Sequence, residues 1–137
     1  MQTQVTLTDQ SGQSYLYTAY AAGTQWNDVA GNYAFAFVDT QGRWQIVYIG
    51  QTDSFQRRMP NHDVWSSASS SYRATHILAR THTAGEVSRK TEERNLIARY
   101  NPPLNAQHRT NALAGMAGPQ PRLGLLAQPY RSPPTRT

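Results

Sequence analysis

Two runs of β-forming residues, NYAFAFV from Asn32 to Val38 and RWQIVYI from Arg43 to Ile49, are separated only by Asp39, Thr40, Gln41 and Gly42. So short a connection sends the chain straight back antiparallel to itself, and any fold must be built around this hairpin. A turn centred on Thr40 and Gln41, or a four-residue loop from Asp39 to Gly42, sets Tyr33 directly opposite Tyr48 on one face; a bulge would break that register. At 137 residues the chain has room for one small domain and a tail, not for two packed domains. With no cysteine it can have no disulfide, no thiolate nucleophile and no Cys-ligated zinc, so its stability must come from a core of aromatic and aliphatic side chains.

The rest of the chain reads outward from this hairpin. TQVTLT alternates apolar and polar, DQSGQ supplies turn residues and SYLYTAY resumes with β-formers, so residues 1–30 are expected to be an N-terminal extension with a hairpin of its own. Thr52, Asp53 or Ser54 can cap a short helix through SFQRRMPNHDVW. The serine-rich SSASSSY reads as a flexible connection, and ATHILARTH as a third core strand. Thr83 and Glu86 stand at capping-box spacing and predict a helix to about Tyr100, ended at Asn101 because a residue before proline avoids the α region. The predicted order is β-β-α-β-α, an α+β fold over 31–105.

All eight acidic residues precede residue 106, with nine of the thirteen bases, so the body is nearly neutral. The four remaining bases, Arg109, Arg122, Arg131 and Arg136, lie among five prolines, and the segment 106–137 is expected to be a disordered tail. Twelve of the thirteen bases are arginine, which suits planar contacts to phosphate or carboxylate. No apolar run approaches the roughly 18 residues of a membrane span. The first residues, MQTQVTLTDQ, lack the charged-then-apolar layout of a secretion signal, so the expected compartment is cytoplasmic with no membrane partner.

Arg58 and His62 are four residues apart and share a helical face, as suits a cation and an imidazole converging on one phosphate, although Pro60 between them would kink the turn. Leu96, Ile97 and Tyr100 follow Glu93 by three, four and seven residues, so Glu93 lies on the apolar stripe of the last helix while Glu92 points elsewhere. A carboxylate at a core edge must be paired, protonated or bound to a cation. Either Arg89, one turn earlier, pairs with Glu93, or Glu93 holds a hard Mg²⁺ that keeps several waters. His76 and His82 are expected to be ordinary strand residues, and Trp26, Trp44 and Trp65 to complete the core. Arg57, Arg73 and Arg80 are candidate phosphate contacts for a nucleic acid.

Taken together, these residues resemble the GIY-YIG nuclease family over roughly 31–105. The first motif appears as Gly31-Asn32-Tyr33 and the second, intact, as Tyr48-Ile49-Gly50. The family's arginine, ten residues beyond the second tyrosine, falls on Arg58, and its following His or Tyr falls on His62. Its glutamate, three residues before a Leu-Ile pair, falls on Glu93, and its terminal Pro-x-x-Asn is matched by Pro102 and Asn105. The departures are Asn32, where isoleucine is usual, and Pro60. The resemblance implies a three-stranded antiparallel sheet flanked by helices, and an endonuclease hydrolysing DNA phosphodiesters with one Mg²⁺ or Mn²⁺ bound by Glu93. It also implies Tyr33 as the general base, with Tyr48 positioning the water or sharing the role, and Arg58 neutralising the phosphate. His62 would accept the phenol proton or bind the phosphate, and Asn105 would fix backbone or substrate. A targeting protein or a homo-oligomer is a further partner it leaves open. The alternative is a catalytically silent nucleic-acid-binding or scaffold module with the same fold.

Overall fold

The structure is a computed structural model that describes residues 2–106. Five strands, β1 (Gln4–Thr8), β2 (Ser14–Ala21), β3 (Gly31–Val38), β4 (Trp44–Thr52) and β5 (His76–Thr81), form one antiparallel sheet in the order β1-β2-β5-β3-β4. The α+β class holds, but the sheet has five strands rather than three. The N-terminal hairpin does not stand apart: β2 pairs with β5 from Thr18↔Ala79 to Ala21↔His76 and satisfies the backbone edge that a three-stranded core would leave open. Its alternating Val5, Leu7 and Tyr17 extend the buried face of the core strands.

Both hairpins turn on the same motif, Asp-x-x-Gly. Asp9 Oδ1 accepts from the Ser11 and Gln13 amides at 2.8 and 3.1 Å, and Asp39 Oδ1 accepts from Gln41 and Arg43, both at 2.9 Å. The glycine closes each loop in a left-handed conformation, with φ 94° at Gly12 and 79° at Gly42. Asp39 therefore pairs with Arg43 and not Gly42, and the turn is centred on Gln41, which shifts the register by one residue. A bulge then shifts the register again between Phe35 and Ala36, giving Tyr33↔Gly50 and Phe35↔Tyr48 instead of Tyr33↔Tyr48. Side chains alternate with period two, so two single-residue shifts restore the face. Tyr33 and Tyr48 thus remain on one side of the sheet as diagonal neighbours, with ring centroids 6.3 Å apart.

Helices cover the two faces, α1 (Phe55–Arg58) and α2 (Trp65–Ser71) on the Tyr33 side and α3 (Glu86–Tyr100) on the other. Ser54 is the cap of α1, accepting from the Arg57 amide at 3.2 Å. The expected single helix through Trp65 is broken, because a 3₁₀ turn over Met59–Asn61 places Pro60 where its missing N–H costs no helical bond. The serine-rich segment is α2 and not a flexible connection. Ala68 and the preceding Val64 bury against the sheet, and the Ser70 hydroxyl donates to the Ser66 carbonyl at 2.6 Å, so packing overrides weak intrinsic propensity. No capping box opens α3; Gly85 is its N-cap, and the first helical bond runs from the Arg89 amide to the Gly85 carbonyl at 3.0 Å. The helix stops where expected, with Asn101 in the left-handed region at φ 45°.

A last helical turn at 103–106 includes Ala106, whose amide donates to the Pro102 carbonyl at 3.3 Å. The rest of the expected tail lies outside the described residues. Among the described residues no helix is long and apolar enough to cross a membrane.

Candidate functional site

Gly50 sits opposite Tyr33 and has no side chain to oppose it, so the phenol lies across β4. A Cβ built on Gly50 would come within 2.5 Å of Tyr33 Oη. Gly31 plays the matching role in the first motif, since a Cβ there would collide with the Arg80 carbonyl and the Phe55 ring. The glycines of both motifs are thus packing requirements, one for the position of Tyr33 and one for the docking of α1.

The Tyr33 phenol meets His62, with Oη to Nε2 at 2.5 Å. His62 is buried, and its Nδ1 accepts from the Val64 amide at 3.1 Å, while the Asp63 carboxylate at 3.6 Å is too far for a hydrogen bond. An accepting Nδ1 in a neutral ring leaves the proton on Nε2, so His62 donates to Tyr33. In this tautomer the Nε2–H favours a phenolate at Tyr33.

Burial pushes the Tyr33 phenol well above the ordinary tyrosine range, Tyr48 adds to that shift, and the Arg58 guanidinium opposes it. Burial also raises the Tyr48 phenol, with Glu93 adding to it and Arg58 again opposing. Arg58 itself is held charged although burial works against it, because Asp63 lies 3.0 Å away and both phenols are near. The half-turn between Arg58 and His62 is not a continuous helix, yet both side chains converge on Tyr33.

Glu93 is half-buried on α3, and burial raises its carboxyl, with Lys90 and Arg94 pulling the other way. The alternative ion pair with Arg89 does not form, since Arg89 Nε donates instead to Gln51 Oε1 at 3.0 Å. Among the described residues there is no group of three or more metal-ligating side chains. A lone carboxylate suits only a hard cation that keeps most of its waters and takes further oxygens from a substrate, which is the donor set Mg²⁺ or Mn²⁺ accepts. Asn105 serves the backbone: its amide accepts from Ile49 N–H at 2.7 Å and donates to the Ile49 carbonyl at 2.8 Å, holding the open edge of β4 beside Tyr48 as a strand would.

Glu92 is expected to point away from the buried stripe, but it is one of the buried residues of α3, with Arg89 and Leu96. It is buried at 3% exposure, accepts from Tyr17 Oη at 2.5 Å and from Arg80 Nη2 and Nε at 2.7 and 3.1 Å, and lies 3.0 Å from His82 Nδ1. His82 also faces Asn32 Oδ1 at 2.8 Å and Ser88 Oγ at 3.1 Å, so it is no ordinary strand residue. Asn32, out of place in an apolar strand, donates to the Arg89 carbonyl at 2.9 Å. The missed signal was spacing, because Glu92 precedes buried Leu96 by one helical turn.

Of the three candidate phosphate contacts, Arg80 is held by Glu92 and lies over the Tyr15 ring. Arg57 pairs with Asp28 at 3.3 Å and Asp53 at 3.4 Å, and Arg73 is exposed in a left-handed turn after α2. His76 packs its ring against Trp44. Comparison with known proteins found no matching family model, curated protein or solved structure.

Proposed function

We propose that this chain is a metal-dependent endonuclease of the GIY-YIG type that hydrolyses DNA phosphodiester bonds. The observation that carries the reading is the convergence of Tyr33, Tyr48, Arg58 and His62 on one face, with Glu93 near enough to raise both phenols. These are the groups that water activation beside an anion requires, and four separate elements supply them.

Tyr33 acts as the general base. His62 Nε2–H and Arg58 both favour charge on its oxygen, and they are the means by which a buried phenol reaches the phenolate. Tyr48, its diagonal neighbour, orients the attacking water. Arg58 binds the phosphate in competition with exposed Asp63 and neutralises the charge that builds on it, an effect that typically amounts to about 3 kcal/mol. Glu93 would hold Mg²⁺ or Mn²⁺, which when bound polarises the phosphate and stabilises the leaving oxygen. Asn105 keeps the Tyr48-Ile49-Gly50 edge in place.

The test is supercoiled plasmid with Mg²⁺. Nicking that EDTA abolishes and that is lost in Glu93→Ala, with an unchanged circular-dichroism spectrum, is the expected result; a Glu93→Ala protein as active as wild type rejects the assignment. One observation favours a catalytically silent DNA-binding module instead, namely the strength with which burial keeps Tyr33 protonated. That reading expects binding without EDTA-sensitive nicking.

A further inference from the structure

On the face that carries the phenols, a cavity of about 270 Å³ opens between Trp26, Phe35, Met59, Pro60, Trp65 and Ile77. None of the proposed catalytic side chains lines it, and it adjoins their site across the Phe35 ring and the Met59–Pro60 turn. The Phe35 ring in its wall is 4.8 Å from the His62 ring and 5.6 Å from Tyr48, and Trp65 stands edge-on to Phe35 at 4.9 Å. Pro60 on its rim belongs to the turn that joins Arg58 to His62. Both tryptophans pack against the core as expected, but each is only half-buried, and neither indole N–H has an acceptor among the described residues.

We propose that this cavity receives one unpaired nucleobase of the DNA strand whose phosphate is bound at Arg58, so the substrate is single-stranded or locally unpaired DNA rather than continuous duplex. The proposal rests on the nuclease reading above. At ~30 Å³ per water the space equals about nine waters, enough for one heterocycle. The charge is divided as a nucleotide requires, with a cation at Arg58 for the phosphate and a wall free of charged side chains for the base. An uncharged aromatic wall stacks any base and reads none of them, so sequence preference is expected to be weak.

The test uses the full chain in EDTA, so that no strand is cut, with an oligonucleotide carrying 2-aminopurine, free and annealed to its complement. Tighter binding of the free strand by tenfold or more, with a change in 2-aminopurine emission, is expected. Trp65→Ala removes a stacking surface, and Ala22→Phe fills the mouth from an exposed turn without touching the core; each should weaken single-strand binding about tenfold. Equal affinity for both forms, unchanged affinity in Ala22→Phe, or tighter binding of an aromatic peptide overturns the proposal. The two readings fail separately. Wild type that nicks plasmid with Mg²⁺ but shows no strand preference loses the pocket alone, whereas pocket-dependent binding without nicking loses the chemistry alone.

Discussion

At Gly50 an absent side chain decides the position of a present one. Tyr33 Oη would lie 2.5 Å from a Cβ there, and the ring cannot retreat because His62 holds its far end and Phe35 and Phe55 flank it. Gly50→Ala should therefore cost roughly 1–3 kcal/mol in thermal unfolding, as overpacking of a core does, and reduce nicking by more than tenfold through displacement of the phenol. A Gly50→Ala protein with wild-type melting and activity would show that Tyr33 can lie elsewhere. At this scale the sequence was legible where chemistry is local: spacing picked out the tyrosines, Arg58 and His62, and the family resemblance the two glycines. The tautomer of His62 could not, since it depends on the Val64 amide, whose direction is set by the 3₁₀ turn.

The adjacent carboxylates of α3 illustrate what an element contributes. Glu92 is surrounded by donors from β2, β5 and the loop after it, and ties the helix to the N-terminal hairpin; Glu93 has only the diffuse fields of Lys90 and Arg94 against its burial. Their substitutions should move stability in opposite directions. Glu92→Gln leaves the Arg80 charge short of its partner and should destabilise by about 3 kcal/mol or more. For Glu93 the folded carboxyl is raised above its unfolded value, so the stability this group provides is present below the unfolded pKa and lost as pH rises through the folded one. At neutral pH the ionised carboxylate is a cost, and Glu93→Gln should melt no lower than wild type while losing metal-dependent nicking. Melting curves of the two variants at pH 7 check this; a lowered midpoint for Glu93→Gln would mean that the carboxylate is structural. Helical periodicity puts the buried stripe on Glu93, Leu96, Ile97 and Tyr100, whereas the buried residues of α3 are Arg89, Glu92 and Leu96, a stripe rotated toward Glu92.

Across the whole molecule, the two phenols at the centres of its two cores, Tyr17 and Tyr33, are both pushed above their ordinary value, in each case first by burial. They bind their protons more tightly folded than unfolded. Their contribution to stability is therefore complete below pH 10 and is lost as the unfolded chain ionises above it. The expected slope is about 1.4 kcal/mol per pH unit for each, so chemical denaturation midpoints should fall steeply between pH 10 and 12, and less steeply in Tyr17→Phe or Tyr33→Phe. A flat alkaline limb would mean that both phenols ionise in place.

Residue order alone determined the central hairpin, the extent of the last helix and the set of polar side chains available for chemistry, because each depends on local propensity and short spacing. Only tertiary structure decided the rest: two register shifts in the same direction that together keep the phenols on one face, a fourth and fifth strand recruited by the pairing of β2 with β5, and a serine-rich segment made helical by the sheet beneath it. In each case the deciding free energy is the burial of surface between residues distant in the chain, and no local pattern records which distant surface will be there.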